Sequence, residues 1–262
     1  MSGSLRGATA AGAVSSANGA AFQVGHAVRV QRNRLLLLAA AVAVAAIVVV
    51  AVILIGGGGD SKSADTLPTS SGATPEAGSY LAGVPQHGDT LGAADAPATV
   101  TVYEDPQCPF CREWALQALP SVVADYVRPG KVKLVYRGIS IIGPDSERGV
   151  RAIYAAGAQN ELWNLADALY RRQGAENGGW LDDAVINAAA ASVGANAARI
   201  RARAATPAVT AQLREAAVQA RADRVQGTPT FVLSRPPSVP QELRLTALDA
   251  ASFESALAAA LR

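Results

Sequence analysis

Hydrophobic and polar positions change rhythm three times along the chain. Residues 1–28 mix Gly, Ala, Ser and Val without a period, and the stretch 1–34 reads as a disordered tail. Residues 35–55 are an unbroken run of 21 Leu, Ala, Val and Ile residues without a charge. As a helix this run reaches roughly 30 Å, the thickness of a bilayer core, and predicts one transmembrane span. It exceeds the apolar core of a typical signal peptide, and the Gly56-Gly57-Gly58-Gly59-Asp60 that follows lacks a convincing cleavage pattern. Gly, Ser, Thr and Pro then dominate, which predicts a flexible linker over 56–87 and a folded domain over 88–262.

Within that domain, residues 98–103 form a short β-rich run between Asp95-Ala96-Pro97 and Asp105-Pro106, predicting a strand. Pro109 suits the first turn of a helix, where its missing N–H is one the helix cannot use. Trp114, Leu116, Leu119, Val122, Val123 and Tyr126 continue an apolar stripe, interrupted at Pro120 and ended by Pro129-Gly130. Residues 131–136 alternate at period two, with Val132, Leu134 and Tyr136 on one face. Strand, helix, strand in this order is half of a βαβ unit.

From about 146 to 225 the period becomes helical. Val150, Ile153, Tyr154, Ala158, Leu162, Leu165 and Leu169 trace one face of a single helix, and Asn177-Gly178-Gly179 follows as a break. Shorter helices are predicted over 181–193 and 196–205, then a last one to Val225, with Thr206 as N-cap and Pro207 behind it. Residues 227–233 return to strand, 243–246 predict a final short strand, and a terminal helix starts at Asp249 or Ser252.

Charge changes the picture at one end only. The formal net charge is +2, but residues 1–34 hold Arg6, Arg29, Arg32 and Arg34 and no acid. Without these four, 19 basic residues face 21 acids, so no basic surface field argues for nucleic acid. Arginines before the apolar run place the tail in the cytoplasm and everything after it outside, where disulfides persist. Arg199, Arg201, Arg203, Arg214, Arg221 and Arg224 read as solvated helix faces diluted by Glu215 and Asp223.

The candidate chemistry is concentrated in one tetrapeptide. Both cysteines of the chain lie in Cys108-Pro109-Phe110-Cys111. At a helix N-terminus, Cys108 faces unpaired backbone N–H groups and the positive end of the helix dipole, which lower a thiol pKa and favour the attacking thiolate. Cys111, one turn later, is the resolving thiol. A zinc site would need further ligands, and only His26 and His87 exist in the chain. A purely structural disulfide across so small a loop would add little stability.

These features together resemble the thioredoxin fold, and within it the DsbA-like extracytoplasmic disulfide oxidoreductases. The resemblance covers about 88–262. It rests on Leu91–Pro97 before the first strand, the Asp105-Pro106-Gln107-Cys108-Pro109-Phe110-Cys111 signature, the helical insertion and Gly227-Thr228-Pro229-Thr230. It implies an α/β thioredoxin-like domain, here behind a single transmembrane helix, whose Cys108–Cys111 pair oxidises reduced or unfolded extracytoplasmic proteins. It implies Pro229 as a cis proline beside the cysteines, with Thr228 offering its backbone to substrate, and Pro109 and Phe110 as tuners of redox potential. Strongly oxidising members often carry histidine where this chain has Phe110. Many members place a buried carboxylate six residues before the first cysteine; here that residue is Val102, Glu104 on the same strand face is the candidate replacement through water, and Asp105 matches the signature acid. No cofactor and no metal are expected. A quinone-linked membrane thiol oxidase is the expected redox partner, and the expected state is a monomer. An isomerase or reductase of the same fold, or a binding module without turnover, are the competing readings.

Overall fold

The computed structural model describes residues 77–261. The tail at 1–34, the span at 35–55 and the linker up to residue 76 lie outside them. Among the described residues no helix is long and apolar enough to cross a membrane.

A β-branched and aromatic run, Thr-Val-Thr-Val-Tyr-Glu, forms the central strand β3 (Thr99–Glu104), the third of six. The others are β1 (Gln86–His87), β2 (Thr90–Leu91), β4 (Lys133–Gly138), β5 (Thr230–Ser234) and β6 (Gln241–Glu242). They lie in the order β1-β2-β4-β3-β5-β6. β3 runs parallel to β4 and antiparallel to β5, with Val102 opposite both Tyr136 and Phe231. Val100 to Glu104 are all buried, so this strand is covered on both faces.

Seven helices of the described residues flank the sheet. α1 follows β3 as Pro109–Glu113, a π turn Trp114–Ala118, α-helical Leu119–Val122 and a second π turn Val123–Val127. α2 (Pro144–Ala156), α3 (Leu162–Tyr170), α4 (Asp183–Ser192), α5 (Ala197–Ala204) and α6 (Pro207–Ala222) form the helical insertion, and α7 (Ala250–Ala260) ends the fold. On the sheet face of Val102, Trp114 packs against Phe231 and Phe253 at ring separations of 4.5 and 4.9 Å. Tyr136, also on that face, meets Tyr154 at 5.6 Å and Trp163 at 5.9 Å. The opposite face is closed by α6: the Tyr103 hydroxyl donates to Asp223 at 2.5 Å, and Arg137 Nε donates to Gln219 at 2.8 Å.

Four local expectations change. The fold begins before residue 88, because Leu81 and Val84 are buried and Gln86–His87 pairs with β2. Buried Asp167 holds this entry segment by accepting from the Gly78 N–H at 2.8 Å. Pro120 does not interrupt α1; the π turn before it, closed by Leu119 N–H to Trp114 O, lets the helix continue past a residue without an N–H. The single helix traced from Val150 to Leu169 is two, parted by Asn160, whose φ of 59° is left-handed. The last strand lies at Gln241–Glu242 and not at 243–246; Leu243 makes one more bond, to Phe231 O at 2.8 Å, before the chain leaves the sheet.

Candidate active site

β3 ends in Glu104, and a tight turn at Asp105–Gln107 delivers Cys108 to the start of α1. Cys108 is the N-cap residue, in extended conformation, and Pro109 takes the first helical position. Its carbonyl accepts the Arg112 N–H at 3.1 Å and its own N–H donates to Asp105 O at 2.9 Å. Cys111 is fully buried, while Cys108 keeps 5 % of its surface exposed. Phe110, between them, points outward with 58 % exposed.

Both cysteines are free thiols. Their surroundings push them in opposite directions. Hydrogen bonding from Cys111 is the largest influence on Cys108. Burial opposes it, while the Thr228 side chain and the backbone N–H groups of Cys111 and Phe110 add to it, and its pKa falls from 9.0 to about 6. Burial raises the Cys111 thiol well above its ordinary value, helped by its bond to Cys108 and by the charge of Glu104. From the far end of the domain, Thr228 closes the site: the Cys108 thiol lies 3.2 Å from the Thr228 carbonyl oxygen, to which it donates. The Thr228–Pro229 peptide bond is cis.

Glu104 is 1 % exposed and shares the sheet face of Val102 and Tyr136. Burial raises its carboxyl pKa from 4.5 to about 8; a Tyr170 hydrogen bond works against this and the Cys108 charge reinforces it. Glu104 Oε1 and the Tyr136 hydroxyl are both buried without a hydrogen-bond partner among the described residues. Val102, six residues before Cys108, is a core side chain. Asp105 is fully buried rather than a solvated loop charge. Its Oδ1 accepts from the Gln107 N–H at 2.9 Å, and its Oδ2 from the N–H groups of Ile141 and Ile142 at 2.9 and 3.1 Å. Asp105 therefore ties the cysteine turn to the loop after β4.

Three contributors were not among the candidate site residues of the sequence. Gln173 Nε2 donates to the carbonyls of Pro106 and Cys108 at 2.9 and 3.0 Å. The Gln107 side chain donates to Ser146 Oγ at 2.9 Å and accepts the Asn177 N–H at 2.7 Å. Tyr170 is buried beside Glu104 and Cys111, both of which raise its hydroxyl pKa, though less than burial does. Among the described residues no group of three or more His, Cys, Asp or Glu side chains is placed to hold a metal ion.

A strand leading into a Cys-Pro-x-Cys helix start, with a cis proline beside the first thiol, is the arrangement of a thioredoxin-like domain with a helical insertion. The chain belongs to the thioredoxin family: the family model described as Thioredoxin matches residues 86–235. Over 100 residues it is 33% identical to the probable disulfide bond formation protein D of Bacillus anthracis, covering 37% of this chain and 46% of that protein. Over 77 residues it is 35% identical to the thiol:disulfide interchange protein DsbG of Escherichia coli K12, covering 29% of each. The match thus spans less than half the length of these curated relatives. The fold resembles oxidised BdbD from Bacillus subtilis, with a TM-score of 0.58 at 18% identity over 68% of this chain and 97% of that one. It also resembles DsbA from Chlamydia trachomatis, with a TM-score of 0.55 at 16% identity over 76% and 97%.

Proposed function

We propose that this chain is a protein thiol:disulfide oxidoreductase that oxidises reduced proteins outside the cytoplasm, tethered by a membrane span at 35–55. The observation that carries the reading is the split between the two thiols: Cys108 is held towards thiolate at a helix start, and Cys111 is held protonated beside Glu104. Reaction begins from the Cys108–Cys111 disulfide. A substrate thiolate attacks Cys108 Sγ, the S–S bond breaks, and Cys111 leaves as thiolate. Glu104, still protonated at neutral pH, gives Cys111 its proton and recovers one from solvent. A second substrate thiolate then attacks the substrate sulfur of the mixed disulfide and releases Cys108 as thiolate. Two electrons pass from substrate to the cysteine pair, and a quinone-linked membrane thiol oxidase would remove them.

Thr228 offers its backbone beside Cys108 to an extended substrate, and Pro229 fixes that approach. Pro109 and Phe110 set the poise. A low Cys108 pKa stabilises the reduced form and makes the disulfide a better oxidant. The likeness to DsbG supports a second reading, exchange between existing disulfides, on the same residues. Oxidative refolding of a reduced model protein, with the reduction potential of the pair measured alongside, tests the choice. Oxidase activity is expected, together with its loss in Cys108→Ser. A potential near the roughly −270 mV of thioredoxin would overturn the oxidase reading.

A further inference from the structure

Arg199, Arg201, Arg203, Arg214, Arg221 and Arg224 read alike in the sequence, but the fold separates them. Arg214 and Arg221 project from α6 into a cavity of about 540 Å³, formed with the loop after β4 and floored by Ile139, Leu213, Ala220 and Val225. A second cavity of about 410 Å³ is lined by Arg224, Val225, Thr228 and Pro229. Val225 lines both cavities, which together are called the trough below, and Cys108 Sγ lies 3.2 Å from the carbonyl oxygen of Thr228, a lining residue of the second. Ile141, 56 % exposed, stands on the trough wall.

The charge along this trough is unbalanced. Among the described residues, the Arg214, Arg221 and Arg224 side chains make no hydrogen bond or ion pair. The acids that face them are taken elsewhere. Glu147 is paired with Arg151 at 2.8 Å and Glu242 with Arg244 at 3.3 Å. On α6 itself, Glu215 lies 3.8 Å from Arg137, and Asp223, just past its end, accepts from Tyr103. Three unpaired guanidinium groups around an apolar floor match carboxylates borne on an extended polypeptide.

We propose that the trough docks an extended acidic segment of the protein substrate, flanking the cysteine that reacts at Cys108. The proposal rests on the thiol-exchange reading above and names the substrate class that this reading leaves open. Apolar residues of the segment lie on Ile139, Leu213 and Val225 while its Asp and Glu side chains meet the arginines. Selection then acts on the rate of encounter and on the lifetime of the mixed disulfide.

The experiment uses the oxidised full chain and two peptides of equal length, each with one cysteine pair, flanked by Glu in one and Lys in the other. The acidic peptide is expected to be oxidised roughly tenfold faster at low salt, with the advantage shrinking as salt screens it. The Arg214→Gln/Arg221→Gln/Arg224→Gln variant is expected to bring the ratio of the two rates close to one. Arg199→Gln, on α5 outside the trough, should keep it. If the triple variant does not fold, Arg221→Glu alone should lower the ratio. Equal rates on the unaltered chain, or a ratio that survives the trough substitutions, would overturn the proposal. So would a concentration-dependent dimer in sedimentation that those substitutions dissolve, since a second copy would then be the occupant. Failure to oxidise either peptide, or dithiothreitol, would instead remove the underlying thiol-exchange reading.

Discussion

One helical turn separates Cys108 from Cys111, yet one thiol is made acidic and the other is kept protonated. The cause is position on the helix: Cys108 caps its N-terminus, while Cys111 is closed into the core beside Glu104. Alkylation of the reduced chain by iodoacetamide should therefore show one fast-reacting thiol with a midpoint near pH 6, absent in Cys108→Ser. Offered a substrate disulfide, Cys111→Ser should accumulate a mixed disulfide at Cys108, visible by non-reducing electrophoresis, because no Cys111 thiol remains to displace the substrate from Cys108. Glu104 makes a second pH signature. In the folded dithiol form its carboxyl keeps a proton up to about pH 8, against 4.5 ordinarily, so its contribution is complete below about 4.5 and fades as pH rises. Cys108 acts oppositely, adding stability as pH rises from about 6 towards 9.0. Between pH 4.5 and 6 only the Glu104 contribution changes of the two. Over that interval the urea midpoint of the reduced protein should fall relative to Glu104→Gln, and a parallel pair of curves would refute the buried acid.

At the scale of elements, α1 and the loop after β4 position the thiols. Trp114 sits in the first π turn of α1 and packs on Phe231 of β5 and Phe253 of α7. Trp114→Ala should cost about 3–5 kcal/mol, lowering the melting temperature on the order of 10 °C. Asp105→Ala leaves three backbone N–H groups without their acceptor, and faster amide exchange at Ile141 and Ile142 is the expected sign. Much of this framework was legible in the chain. Pro109 marks the start of α1, period-two alternation marks β4, and Thr206-Pro207 marks α6, whose N-cap oxygen accepts from Val209 N–H. What escaped was non-local. Pro120 looks like a breaker until the π turn before it is seen. Asn160 carries no reversal in the apolar pattern, because the same face continues on both sides of the bend.

For the molecule as a whole, the cysteine tetrapeptide and Thr228-Pro229 were legible because each is a short, unusual string. Gln173 and Tyr170 were not. They reach the site from 65 residues away in sequence, through the packing of the helical insertion, and no spacing rule announces them. The domain boundary moved for a related reason: the composition of residues 77–87 resembles a linker, but Leu81, Val84 and the Asp167 contact bring it into the fold. A thiolate stabilised only in the reduced state has a global outcome as well. Adding reductant should raise the melting temperature of the domain, whereas a structural disulfide would make reduction lower it.

Both outer strands of the sheet, Gln86–His87 and Gln241–Glu242, are two residues long, and Pro240 without an N–H precedes the second. An exposed strand edge is a template on which any extended chain can condense. A protein proposed to meet unfolded polypeptides as its ordinary company is safest with almost no such template to offer. The backbone carbonyl beside Cys108 then becomes a place where a visiting chain is held, reacts and is let go, while the margins of the sheet give it nowhere to begin a fibre.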